Sequence, residues 1–165
     1  DPMSPILYSR INIIKGGLVY GIGDTIAALI THHSSLTRCL GVVLVGATLY
    51  ALEIPNYFRW IDQRTRPLPS VRRGLARTML ALLYFNPIWI TRHLVLINLF
   101  SGQRPVYSLA LVGVAVQSFL WNIPISLTAN FLIQNKVIRR RRFLASALFS
   151  ASMAVYYALS EVIFR

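Results

Sequence analysis

Five long apolar runs separated by short, arginine-rich segments leave this chain few ways to fold. They cover roughly Ile11–Ile30, Leu40–Trp60, Thr78–Phe100, Val106–Ile133 and Phe143–Phe164. A helix needs about 20 predominantly apolar residues to cross a bilayer, so 165 residues provide for four or five crossings and little else. The expected fold class is therefore all-α: a polytopic transmembrane helical bundle of four to five spans, with 1–165 forming a single integral membrane domain. Only 13% of the residues are charged and mean hydropathy is +0.56. A typical soluble domain has about 25% charged residues, roughly twice that share. Prolines interrupt the third run at Pro87 and the fourth at Pro124. Each removes a backbone hydrogen bond and crowds the preceding turn, which predicts a kink or break in both helices.

The basic residues report orientation. Arg64, Arg66, Arg72, Arg73 and Arg77 follow the second run, while Lys136 and Arg139 to Arg142 follow the fourth. If the third and fourth runs both cross, these ten of the 17 basic residues share one side, and the opposite loops hold Arg38 and Arg104. The positive-inside rule then assigns the ten to the cytoplasmic or matrix-type face. The net charge is +12. In a soluble protein that would point to nucleic acid; between apolar runs it points to anionic lipid headgroups. The lone Cys39 excludes an internal disulfide and a cysteine-built zinc site.

Charge within the apolar runs is scarce, and Asp24 and Asp62 stand out among five acids. A carboxylate at membrane depth is normally kept for packing, pairing or a solute path. Gly17, Gly21, Asp24 and Ala28 fall on one helical stripe, and small residues at such spacing let a second backbone approach closely. Asp24 is thus expected in a helix–helix seam, as a structural partner or as the lining of a polar path. A second stripe, Gly113, Gln117, Trp121, Pro124 and Thr128, marks the fourth run; a third, Ser146, Ser150, Ala154, Tyr157 and Glu161, marks the fifth. Together they predict a polar interior. At the membrane surface an Arg59–Asp62 pair, one turn apart, is expected. His32 and His33 fall in a loop, and His93 beside Arg92 is expected at an interface or kink. No phosphate-binding loop, metalloprotease signature or nucleophile elbow occurs, and neither catalytic residue nor cofactor nor metal is expected.

The order of these marks resembles the family of small organelle membrane proteins typified by Mpv-seventeen and the twenty-two-kilodalton peroxisomal membrane protein. Gly21-Ile22-Gly23-Asp24 is similar to that family's first-helix motif. Pro55-Asn56-Tyr57-Phe58-Arg59-Trp60-Ile61-Asp62 and Phe85-Asn86-Pro87 resemble its later aromatic and proline signatures. Pro124, Asn130-Phe131, Arg139 and Tyr157-Ala158-Leu159-Ser160 are similar to its tail. The chain departs from the pattern at Ala28 in place of glutamine, Asn135 in place of proline, and Trp121 three residues before Pro124. Ala81-Leu82-Leu83 stands where the family has an Asp-Gln pair.

The resemblance implies a non-enzymatic multi-pass protein of the mitochondrial inner membrane, or alternatively of the peroxisomal membrane, acting as a small-solute channel. The other reading is a non-catalytic accessory subunit of a larger inner-membrane complex such as a respiratory or ATP synthase assembly; loss of the Asp-Gln pair favours it. Asp24, Gln117, Trp121, Asn130, Tyr157 and Glu161 are the expected interior polar groups. Gly17, Gly21, Gly23, Pro87 and Pro124 would set helix packing. Arg59, Asp62, Arg72, Arg73 and Arg139, Arg140, Arg141 and Arg142 would anchor loops and lipid headgroups. The expected partners are the lipid bilayer, with cardiolipin as a candidate for the basic loops, and a homo-oligomer or larger membrane complex, with no nucleic acid.

Overall fold

The structure, a computed structural model, describes residues 6–102 and 109–163, with backbone alone described for 87, 109–119 and 157–163. Among the described residues every regular element is a helix. In chain order these are α1 (Arg10–Ile30), α2 (Leu36–Val45), α3 (Ala51–Thr65), α4 (Ser70–Leu83), α5 (Ile90–Phe100), α6 (Leu109–Asn135) and α7 (Arg139–Ile163). Single π-helical turns, Gly46–Tyr50 and Tyr84–Trp89, join α2 to α3 and α4 to α5 without a break. Among the described residues, three of the resulting runs are long and apolar enough to cross a membrane: Arg10–Ile30, Leu36–Thr65 and Ser70–Phe100. The helices outrun the apolar segments at their arginine-bearing ends, because backbone hydrogen bonding continues after the side chains turn polar.

Local signals account for the ends. Ser9 Oγ accepts from the Asn12 amide at 3.2 Å, and Ser35 Oγ accepts from the Arg38 amide at 3.1 Å. These hydroxyls cap α1 and α2. At the other end of α1 the His33 amide reaches the Ala28 carbonyl (2.9 Å) and the His32 amide the Leu29 carbonyl (3.2 Å). His32 has a φ of 57°. This is a Schellman stop with histidine where glycine is usual. The prolines do not break their helices. Pro87 lies inside the second π-helical turn, and α6 runs through Pro124 as one α-helix. The first π-helical turn leads directly into the turn containing Pro55, which has no amide to donate.

The chain divides into two compact units, Asp1–Trp60 with Ile138–Arg165, and Ile61–Val137. In the first, α1 packs against α2, the π-helical turn after it, and α7. Its small residues make this possible. Gly16 lies on the backbone of Gly46, Gly17 and Gly21 face Val43, and Gly23 abuts Ala151 of α7. Tyr20 and Tyr50 close this core with ring centroids 4.9 Å apart. The segment before α1 is held to α3 by Asn56, which accepts from the Leu7 amide and donates to the Leu7 carbonyl, both at 2.9 Å. On the opposite face of α1, Ile11, Ile14, Leu18, Ile22, Ile26 and Leu29 are exposed. Small and polar residues inside with large aliphatics outside is the pattern of a helix that meets lipid.

In the second unit α4 packs against α6. Asn135, near the end of α6, donates to the Gly74 carbonyl (3.3 Å) and to Thr78 Oγ1 (3.2 Å), joining that end of α6 to the first turns of α4. Trp89 and His93, one turn apart, stack at 4.7 Å.

Candidate functional site

Asp24 is buried among the glycines of α1, and its carboxylate is met by a fork. Arg38 Nε donates to Oδ2 at 2.8 Å and Arg38 Nη2 to Oδ1 at 2.6 Å. The Arg38 and Asp24 side chains are 13% and 4% exposed. Arg38 sits in the first turn of α2, so the pair bridges the two helices beneath the loop that joins them. Next to it Thr25 Oγ1 points to Cys39 Sγ at 3.4 Å.

The second unit repeats this device. Asp62, buried near the end of α3, pairs with Arg77 Nη2 of α4 at 3.0 Å. Arg77 Nε also donates to Thr65 Oγ1 at 3.2 Å, and that hydroxyl donates to the Ile61 carbonyl at 2.8 Å. Asp62 thus has a partner across a turn that sequence spacing did not single out; Arg59, expected as its partner one turn away, has Asn56 Oδ1 among its acceptors, at 3.1 Å. Each unit therefore contains a buried aspartate paired with an arginine from the next helix of the chain. Pairing of this kind compensates the cost of removing both charges from water, and loss of one partner leaves the other stranded.

A different polar element lies on α6. Asn122, Ser126, Asn130 and Gln134 recur every four residues, and all are buried: 6%, 1%, 4% and 0% exposed. At 1.5 Å per residue the row extends about 18 Å along the helix axis, over half of a hydrocarbon layer about 30 Å thick. Asn130 Nδ2 donates back to the Ser126 carbonyl at 2.8 Å. Neither amide atom of Gln134 has a hydrogen-bonding partner among the described residues, nor does Asn122 Oδ1. Each such orphan costs roughly 1–3 kcal/mol if left dry. Asn86, in the π-helical turn between α4 and α5, is buried with Nδ2 likewise unpartnered among the described residues.

Of the expected interior residues, Asp24 and Asn130 are buried, and Trp121 is not. It is 79% exposed, on the side of α6 that also presents Leu120, Ile125 and Leu132. Pro124 and Thr128 are exposed with it, so the polar row is displaced by one residue around the helix. The surroundings of Gly113 and the side chains of Gln117, Tyr157 and Glu161 lie outside what the structure describes. On α7 Ser146 is buried, and Ser150 and Ala154 are half-buried.

The basic residues mark one end of each unit. Arg72 and Arg73 occupy the first turn of α4, where Arg73 donates to the Leu68 carbonyl from both Nε (3.1 Å) and Nη2 (2.8 Å). Arg139 to Arg142 form the first turn of α7; the first three are exposed and Arg142 is buried. Cations there oppose the helix dipole, so an external anion is favoured beside them. Among the described residues no group of three or more His, Cys, Asp or Glu could hold a metal ion. No family model, curated protein or solved structure matches this chain significantly, so the residues themselves carry the functional reading.

Proposed function

We propose that this chain is a multi-pass protein of the mitochondrial inner membrane, crossing four or five times and providing a path for small solutes, as its resemblance to the Mpv-seventeen family implies. The observation that carries the reading is the buried row Asn122, Ser126, Asn130 and Gln134, set opposite exposed Leu120, Trp121, Ile125 and Leu132. Buried amides that serve packing hydrogen-bond to a neighbouring helix, whereas Gln134 and Asn122 Oδ1 have no such partner among the described residues. In this arrangement Asp24 and Asp62 are clamps outside the path, since each is matched by an arginine. No residue is assigned a catalytic role. The basic ends of α4 and α7 would face the matrix and meet anionic headgroups, cardiolipin among them.

The test is reconstitution into pure-lipid vesicles and planar bilayers. The expected result is solute flux above that of protein-free membranes, reduced at least several-fold by Ser126→Leu and unaltered by Arg72→Gln in flux of neutral solutes. Flux equal to that of empty membranes would sink the reading.

One observation favours the accessory-subunit alternative. Where the family has an Asp-Gln pair, Ala81 and Leu82 are buried, so α4 brings no polar group there. Extraction in mild detergent separates the two readings. Migration as a small particle supports the channel; migration within an assembly many times its mass, with co-purifying subunits, supports the structural role.

A further inference from the structure

We infer that the buried face of α6 is wetted, and that Gln134 is the contact point for a small neutral hydrogen-bonding solute, water or a polyol. The inference rests on the membrane-path reading above and names what that path takes.

Four observations lead to it. First, the row is uncharged: Asn122, Ser126, Asn130 and Gln134 provide amides and a hydroxyl, and the two buried aspartates of the described structure are each paired with arginine. An ion entering such a row would give up its hydration with no opposite charge to replace it. A neutral hydroxyl or amide asks only for one donor and one acceptor.

Second, Gln134 offers both. It is wholly buried, and its Nε2 and Oε1 are both without protein partners among the described residues. Buried side-chain amides in folded proteins are in the large majority hydrogen-bonded, to protein or to ordered water. An amide that the surrounding helices leave unanswered on both atoms is therefore matched to something that enters. Third, the same deficiency recurs at Asn122 Oδ1, twelve residues earlier on the same row. That is about 18 Å along the axis, so the deficiency is not confined to one end of the helix.

Fourth, Gln134 occupies the last turn of α6, next to Asn135, which joins that turn to Gly74 and Thr78 of α4. That end of the unit carries Arg72, Arg73 and Lys136. The row thus ends beside a basic segment, and on this inference a solute would exchange bulk water for the Gln134 amide there before meeting Asn130 and Ser126.

The single cysteine makes a direct test practical. In a Cys39→Ala background, one cysteine is introduced at 122, 126, 130 or 134, and for comparison at Leu120, Ile125 or Leu132. Each variant is reconstituted and exposed to a small water-soluble methanethiosulfonate, which reacts with thiolate and hence only where water reaches. The expected result is labelling at 122, 126, 130 and 134 at least tenfold faster than at the three comparison positions, although those are the more exposed to the exterior. Equal or slower labelling of the row, at 122 and 126 above all, would overturn the inference and identify a dry packing seam.

A second measurement identifies the solute. Vesicle shrinkage against impermeant sucrose reads water, and re-swelling in glycerol reads polyol. Gln134→Leu is expected to slow at least one of these at least fivefold with the folded yield unchanged; unaltered rates for both would remove Gln134 from its assigned role. Vesicles that conduct ions well while the row stays unlabelled would keep the channel reading and reject this one. A labelled row in vesicles with no flux of any kind would do the reverse, leaving a wetted but closed site.

Discussion

Arg38 reaches across from α2 and grips both carboxylate oxygens of Asp24 on α1, fourteen residues away, at 2.8 and 2.6 Å. The pair closes a hairpin whose loop contains the Schellman stop at His32. Because Asp24 is buried and Arg38 largely so, the arrangement is sensitive to loss of either half far more than to loss of both. Asp24→Leu alone strands the Arg38 guanidinium and is expected to destabilise the fold by about 3–5 kcal/mol. The double variant Asp24→Leu with Arg38→Met removes both charges at similar volume and should recover most of that loss. Thermal unfolding in detergent across the four-member cycle measures the coupling directly. Additive effects of the two single changes would show that the pair contributes nothing as a pair.

The Asp62–Arg77 pair has a further requirement, because Arg77 serves two acceptors from two nitrogens: Asp62 from Nη2 and Thr65 Oγ1 from Nε. A lysine ammonium keeps the charge but lacks the planar fork. Arg77→Lys is therefore expected to cost about 1–2 kcal/mol, and Thr65→Val about 1 kcal/mol through loss of hydrogen bonds to a charged donor and to the Ile61 carbonyl. In the Arg77→Lys background, Thr65→Val should cost markedly less, since the shared bond is already weakened. Equal cost in both backgrounds would separate Thr65 from the clamp.

Much of this arrangement is legible in the chain, and the part that is not has a physical cause. Asp24 is placed correctly by its stripe because glycines at 17 and 21 mark one face of α1 unambiguously; only a closely packed face tolerates them. Its partner is invisible, since no local spacing connects residue 24 to residue 38 until the hairpin folds. The same holds for the Arg77 partner of Asp62, which lies across the turn on the next helix. On α6 two rows of helical spacing lie side by side, one through Trp121 at steps of three and four and the other through Asn122 at steps of four. Periodicity alone does not choose between them. What could have chosen is the lipid preference of the neighbours: the Trp121 face also presents Leu120, Ile125 and Leu132, whereas the row through Asn122 is continuous in amides and hydroxyls. The prolines give no break because a π-helical turn absorbs Pro87, and α6 continues as an α-helix past Pro124.

His32 occupies a position that suits glycine better. Its φ of 57° lies in the left-handed region, which costs a residue with a Cβ about 1 kcal/mol. His32→Gly is expected to raise stability by roughly that amount less the greater unfolded-state entropy of glycine, a net gain of about 0.5 kcal/mol. His32→Val, branched at Cβ, should be destabilising at the same site. Unfolding midpoints in detergent for the two variants, moving in opposite directions, would confirm the stop as a conformational one. Equal losses in both would show that the imidazole itself makes the contribution.

The glycines divide sharply between those that hold helices together and those that do not. A Cβ added at Gly16 would fall on the carbonyl oxygen of Gly46, and one added at Gly46 on the carbonyl of Gly16, with backbone atoms on both sides. Backbone of two packed helices has no rotamer to step into, so Gly16→Ala must push α1 away from the π-helical turn. Overpacking of this kind costs about 1–3 kcal/mol, and the upper part of that range is expected here. Gly23 is similar, since its added Cβ would meet Ala151 of α7 with the Ala151 Cα 2.9 Å away. Gly74 is the control: the nearest atom to its added Cβ is Asn135 Oδ1 at 3.5 Å, an ordinary contact. Gly74→Ala on the second turn of α4 should therefore be neutral or stabilising by up to about 1 kcal/mol through helix propensity. Monodispersity and thermal midpoint in detergent for the three alanine variants provide the comparison. Loss at 16 and 23 with none at 74 is the expected result, and equal tolerance at all three would mean that α1 is not held by backbone-to-backbone approach.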